Sequence, residues 1–272
     1  MNERVIVSLT TYNKRIENIP VVLDTIFSQT LCPDRVVINL SFDELIPEEV
    51  QRYVENHDIE VNYVKDTKVY KKLIPTLKRY PYDCVISIDD DFLYPKTMIE
   101  DFMSTHILYP HYPISGNRVV VNGMQCHCGC ASLTKAEFLG CYLDQIDDMT
   151  MDNCPCDDIV YTYLSNKNSH PYIRTKDMYF LNMPGYNVVE SYSSKQIGGV
   201  KKSFDYLNMK FGACPNNLWR YYDGGFDSQI ITDILESYIE MGRKDVRSSI
   251  TYKIGALVLK PIMLLGWSDR DK

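Results

Sequence analysis

Short apolar runs alternate with amphipathic stretches through the first ninety residues. Val5–Leu9 is a compact apolar run and predicts a strand. After Thr10-Thr11-Tyr12-Asn13, the residues Ile19, Val22, Leu23 and Ile26 fall on one face at helical spacing. Arg35–Leu40, with Val36-Val37-Ile38 at its centre, predicts a second strand, and residues 47–54 a second helix. Ile59–Val64 alternates as a third strand, Leu73–Leu77 begins another helix, and Asp83–Ile88 supplies a fourth strand. Strands separated by helices need crossover connections, which predicts an α/β fold: a mostly parallel sheet with helices on both faces. Near-continuous apolar strands suit burial on both sides. Beyond about residue 100 the pattern loosens into segments rich in Gly, Tyr and Asn. No repeat and no domain cut are visible before residue 240.

Composition adds three points. The chain has 272 residues, of which 45% are apolar and 24% charged, enough for a large core and too apolar for wholesale disorder. Thirty-six acidic residues against 29 basic ones give a net charge of −7, which argues against a nucleic-acid-coating protein. That value is uneven: residues 243–260 carry five basic residues and one acid, leaving residues 1–242 at −11. Nine cysteines without an export signal read as small buried hydrophobes, and the cytoplasm is the expected compartment. No uninterrupted apolar run is long enough to span a bilayer.

The first candidate site is Asp89-Asp90-Asp91, directly after the fourth predicted strand. Ligands of open parallel sheets bind at the carboxyl ends of strands. Three adjacent carboxylates repel one another unless a cation sits among them, and hard oxygen ligands suit Mg²⁺ or Mn²⁺. The plain alternative is an acidic turn in which Asp91 caps a helix opened by Pro95. Just upstream, Lys65, Lys68, Lys71, Lys72, Lys78 and Arg79 surround one acid, Asp66. Lys72, near a helix start, is the candidate for a bound phosphate, with a solvated basic face as the alternative.

Together, Thr10-Thr11-Tyr12-Asn13, Tyr70-Lys71-Lys72-Leu73-Ile74-Pro75 and Ile88-Asp89-Asp90-Asp91-Phe92-Leu93-Tyr94-Pro95 resemble the nucleotide-sugar glycosyltransferases of the GT-A fold. The likeness is to the bacterial family 2-like enzymes that build surface polysaccharides. It implies that Asp89 and Asp91 form the Asp-x-Asp motif, meeting the donor ribose and the metal, with Asp90 also on the donor side. It also implies that Lys72 and Arg15 assist on the phosphate side, with Thr10, Thr11, Tyr12 and Asp66 around the nucleoside.

A second acidic pair, Asp157-Asp158, opens the apolar-periodic stretch Ile159, Val160, Tyr163, Leu164. Ordinary helix-start complementarity is one reading. By resemblance, the pair lies on the acceptor side, with Asp158 as general base and Asp157 in support. Asp157 stands where many relatives have Glu, and Val160 where an aromatic is common, so the choice between the two carboxylates stays open. Gly224-Gly225-Phe226-Asp227, with Trp219 upstream, resembles the segment closing the acceptor side, Phe226 being a departure.

Two further features invite readings. Cys126-His127-Cys128-Gly129-Cys130 and Cys154-Pro155-Cys156 offer zinc ligands, but strict alternation lacks zinc spacing and predicts a strand with three thiols on one face. Residues 243–272 combine basic residues, an apolar stripe (Ile250, Ile254, Leu257, Val258) and Trp267. That suits a peripheral helix on the inner, anionic face of the cell membrane, or else a helix docked on the body. The resulting expectation is a catalytic domain over 1–242, with a donor half to about residue 100 and an acceptor half beyond it. It would transfer sugar from a nucleotide-diphosphate sugar to a glycan or lipid-linked acceptor, with inversion. The rivals are a nucleotidyltransferase or sugar-phosphate hydrolase using the same metal site, and a non-catalytic glycan-binding protein.

Overall fold

Apolar runs become strands where the pattern places them. The computed structural model describes residues 3–117, 120–121, 124–127, 129–175, 178–183 and 199–213. Strand β1 (Val5–Thr10) leads through a 3-10 turn (Asn13–Asn18) into α1 (Ile19–Phe27), which buries Ile19, Val22, Leu23 and Ile26. Next come β2 (Arg35–Ser41), α2 (Glu48–Asn56), β3 (Glu60–Val64) and a second 3-10 turn (Lys68–Lys72). Helix α3 (Ile74–Arg79) precedes β4 (Cys84–Ile88), followed by β5 (Phe92–Leu93) and α4 (Met98–Leu108). The second half holds β6 (Ile114–Ser115), β7 (Val120–Val121), β8 (Met124–Gln125), β9 (Ala131–Thr134) and α5 (Ala136–Leu139). It continues with α6 (Asp148–Asn153), α7 (Asp157–Lys167), β10 (Ile173–Arg174), β11 (Leu181–Asn182) and α8 (Gly199–Phe211).

Seven strands form the main sheet in the order β10-β6-β9-β4-β1-β2-β3. β1 pairs in parallel with both β2 and β4, and β2 with β3. The exception is β9, antiparallel to β4 and β6, with Ala131 opposite Ile88. The sheet is therefore mixed and mostly parallel. Successive β1 residues feed opposite faces, as the pleat requires. Val5, Val7 and Leu9 join a core with α1, α2 and α4, whereas Ile6 joins one with α3, α7 and α8. Ser8 shares the second face and anchors a buried polar cluster. It donates to the Lys72 carbonyl at 2.5 Å, while Asn39 donates to Ser8 at 3.1 Å and to Thr76 at 2.9 Å. That cluster fixes the Lys72 backbone beside β1.

Two expectations are corrected. Helix α4 begins at Met98 after Thr97, so Asp91 caps nothing, and its neighbours Phe92–Leu93 pair with β11 instead. Cys126 and Cys130 do not lie on a strand: β8 ends at Gln125, β9 starts at Ala131, and residues 126, 127, 129 and 130 between them belong to no helix or strand. The expected domain boundary at 242, the tail 243–272, Trp219 and Asp227 lie outside the described residues. Among those described, no helix is long and apolar enough to cross a membrane.

Candidate functional site

Strand order reverses at β1 and β4, which sit side by side at the centre with their next connections leaving to opposite sides. The crevice beyond their carboxyl ends is where open α/β sheets take ligands. Thr10-Thr11-Tyr12 leaves β1 there, and Asp89-Asp90-Asp91 leaves β4. The first turn of α7 brings Asp157 and Asp158 to the same place.

Two cations hold the acids. The Arg15 guanidinium forks onto Asp90 Oδ1 at 3.1 Å and Asp91 Oδ2 at 2.5 Å, with Tyr12 stacked at 5.4 Å. Lys72 Nζ, nearly inaccessible, lies 3.1 Å from Asp89 Oδ1 and 3.4 Å from Asp157 Oδ2. One lysine thus ties the triplet after β4 to the pair on α7, which are 68 residues apart in the chain. Thr11 is buried beside the Asp90 carboxyl. Tyr94 braces the triplet: its hydroxyl accepts from the Asp89 N–H at 3.0 Å and lies 2.8 Å from the carbonyls of Asp89 and Cys130.

The electrostatics follow from burial and count. Five carboxylates face two permanent cations. Burial pushes Asp89 up to about 7, against the pull of Lys72 and with the charges of Asp91 and Asp158 adding to the rise. Burial likewise pushes Asp90 up to about 6, against Arg15. Asp157 is raised by burial and by Asp158. Asp158 differs: burial opposes its charge, but the His127 hydrogen bond, Lys72 and a Gly129 N–H outweigh that and hold it low. Lys72 stays protonated because Asp157, Asp89 and Asp158 outweigh its burial. Asp90 Oδ2 and Asp91 Oδ1 are buried without a hydrogen-bond partner. Partnerless buried carboxylate oxygens in a site with surplus negative charge are the donor set for a hard divalent cation. Asp91 fits that group through Oδ1, and Asp90 offers the second such oxygen beside it.

The segment between β8 and β9 supplies residues that the pattern did not reveal. His127 Nδ1 lies 2.8 Å from Asp158 Oδ1, and its Nε2 lies 3.1 Å from Ser87 Oγ. Burial lowers the imidazole's pKa despite Asp158, so the ring is neutral. Gly129 runs close over the acids: a Cβ there would meet Asp89 Oδ2 at 3.1 Å and Asp158 Oδ2 at 3.4 Å. The one available sequence signal was a histidine amid cysteines, and it pointed toward zinc.

Other expected residues are placed differently. Thr10 donates to the Asn39 carbonyl at 2.7 Å, so its hydroxyl serves the β1–β2 junction. Asp66 is largely exposed, pairs with Lys71 Nζ at 2.7 Å and accepts from the Lys68 N–H at 2.9 Å. It lines a cleft of about 350 Å³ between residues 65–70 and α6, together with Asp148, Met151 and Pro155. Cys156 precedes α7, and Asp157 and Asp158 stand in its first turn, where a carboxylate complements the helix dipole.

No protein-family model matches the sequence, and no curated protein does. Among solved structures, the chain is similar to the mannosyltransferase PcManGT from Pyrobaculum calidifontis in complex with GDP-Man and Mn²⁺. The TM-score is 0.51 at 17% identity, covering 100% of this chain and 89% of that one. S. aureus TarS scores 0.45 at 14% identity, over 66% of this chain and 36% of that one. The 4-diphosphocytidyl-2C-methyl-D-erythritol synthase scores 0.46 at 11% identity, over 71% and 98% of the two chains. The last two likenesses are too slight to carry weight, and the first speaks to architecture. The chain has a GT-A-like fold: a mixed, mostly parallel seven-stranded sheet with helices on both faces.

Proposed function

We propose that this protein is a glycosyltransferase that moves a sugar from a nucleotide-diphosphate donor to a hydroxyl of a glycan or lipid-linked glycan. One observation carries the reading: two carboxylate clusters meet at the β1/β4 switch point, joined by Lys72, with buried oxygens of Asp90 and Asp91 left partnerless. Transfer needs both halves, a cation-binding acidic group for the diphosphate and a separate carboxylate for the acceptor. Mn²⁺ or Mg²⁺ would be held by Asp91, with Asp90 and Asp89 beside it, and when bound it neutralises charge gathering on the diphosphate. Tyr12, 48% exposed just after β1, offers a ring to the nucleoside.

Asp158 is the base in this reading, because of the two carboxylates on α7 it is the one whose surroundings hold it ionised while part of its side chain stays open. The acceptor oxygen bonds to the anomeric carbon as its proton passes to Asp158. The bond from that carbon to the diphosphate oxygen breaks, and its electron pair leaves on the phosphate. A single displacement of this kind inverts the anomeric centre. Residues 1–242 form the catalytic domain in this account, with Trp219 and Asp227 toward the acceptor. The basic segment 243–260 holds the protein to an anionic membrane on its cytoplasmic face.

A thermal-shift screen of UDP, GDP, ADP, CDP and dTDP with and without Mn²⁺ tests the donor side. The expected result is a Mn²⁺-dependent rise for one nucleotide, and a flat response to all five refutes the reading. Asp158→Asn is expected to lower kcat by about 10²–10⁴-fold with donor KM unchanged. Full turnover by that variant favours nucleotidyl transfer or hydrolysis instead.

A further inference from the structure

His127 is a wholly buried residue that grips Asp158 twice. Its ring Nδ1 meets Asp158 Oδ1 at 2.8 Å. Its backbone N–H donates to Thr162 Oγ1 at 2.9 Å, and Thr162 donates to the Asp158 carbonyl at 2.6 Å. Tyr161 and Tyr172 enclose the ring at centroid distances of 5.2 and 5.6 Å, so it cannot turn without displacing them. Asp158 keeps 26% of its side chain accessible while His127 has none, which orders the chain inward from solvent as Asp158, His127, Ser87.

Proton counting defines what the ring can do. An ionised carboxylate only accepts, so Nδ1 carries the hydrogen, and Nε2 then accepts from the Ser87 hydroxyl. Both nitrogens are engaged and the ring is neutral, so no nitrogen is open to take a proton from Asp158. The Ser87-His127-Asp158 order also invites a nucleophilic-serine reading, but Ser87 lies inside β4 with no accessible surface. What remains is orientation: a charged acceptor held by a rigid donor, the arrangement that fixes working carboxylates and imidazoles elsewhere.

We propose that His127 is the positioning residue for Asp158: its Nδ1–H fixes one carboxylate oxygen so that the other faces the acceptor hydroxyl, while Ser87 holds the far side of the ring at Nε2. This rests on Asp158 being the base of a glycosyl transfer.

The test uses the full chain with Mn²⁺, GDP-mannose, UDP-glucose and UDP-N-acetylglucosamine as donors and methyl glycosides as acceptors, following nucleoside diphosphate release. His127→Phe keeps the ring volume without a donor, and is expected to lose about 10²-fold in kcat with donor KM within about twofold. His127→Asn restores a donor near the Nδ1 position and is expected to recover at least about tenfold of that loss. Ser87→Ala should fall between wild type and His127→Phe. Wild-type turnover with His127→Phe within about threefold of it overturns the inference alone, as does an equal loss in the Phe and Asn variants. No wild-type turnover with any donor refutes the glycosyltransferase reading and the inference with it. If the His127 variants fail to fold, ¹⁵N NMR of wild-type histidines decides. A neutral Nδ1–H tautomer for His127 supports the proposal, and an Nε2–H or doubly protonated ring overturns it.

Discussion

Replacing Lys72 with Met tests the electrostatic plan of the site most directly. Met keeps the volume of the stem and deletes the ammonium lying 3.1 Å from Asp89 and 3.4 Å from Asp157. Removing one partner of a buried pair strands the other charge, typically at about 3–5 kcal/mol. The site itself supports a cost of that size. Even with Lys72 present, burial lifts Asp89 to about 7, so without the lysine's opposing charge nothing offsets the desolvation of that carboxylate. Without the lysine both carboxyls rise further, so the folded variant binds protons that the unfolded chain does not. Its stability therefore grows as pH falls. The expected deficit against wild type is about 3–5 kcal/mol at pH 8, where the stranded groups must ionise or capture scarce protons. At pH 5.5 both enter protonated, and the deficit shrinks to about 1–2 kcal/mol, the cost of the missing hydrogen bonds. Urea denaturation followed by far-UV circular dichroism in EDTA at the two pH values measures it. A deficit below about 1 kcal/mol at pH 8, or one of equal size at both pH values, refutes the argument.

The wild-type protein in EDTA should gain stability as pH falls from 8 to about 5, because Asp89 and Asp90, at about 7 and about 6, take up protons only when folded. Glu3 and Asp147, both held at about 2 despite the opposing burial of Glu3, act with opposite sign, and their contribution is lost only at more acid pH. A melting temperature that falls steadily from pH 8 to 5 contradicts the assignment. Mn²⁺ needs ionised carboxylates, so its stabilising effect should be larger at pH 8 than at pH 5.5; equal shifts would remove Asp89–Asp91 as the cation site. Gly129→Ala places a methyl 3.1 Å from Asp89 Oδ2, and should lower kcat by about tenfold or more while the melting temperature changes little. Wild-type kinetics from that variant would show that the segment over the acids yields freely.

The half of the molecule built from local pattern was legible, and the half built from long-range pairing was not. β1, β2 and β4 are buried on both faces, so each announces itself as a near-continuous apolar run, interrupted at Ser8, Asn39 and Ser87. β6 and β10 are two residues long and β9 four, too short for any periodicity to register. The acids were legible because carboxylates clustered at strand and helix ends have few ordinary uses. Arg15 is one of two adjacent basic residues in a 3-10 turn, and only the chain reversal after β1 makes it a fork for Asp90 and Asp91. His127 was hidden for a stronger reason: its partners Ser87 and Asp158 lie 40 and 31 residues away on other elements. The alternating thiols around it suggested a strand that does not form.

The reversed direction of β9 determines where this protein tolerates change. A parallel strand beside β4 would bring to the crevice the residues that follow it, as β1 and β4 do. Running backwards, with Ala131 facing Ile88, β9 has its entrance at the acids, and the residues just before it are delivered there at fixed reach. A single residue inserted between Gly129 and Ala131 would push His127 off Asp158 or force β9 to slip and turn its side chains over. The same insertion after Thr134, at the opposite end of the strand, would leave those distances untouched. Length variation is thus barred at the end of the strand that faces the acids.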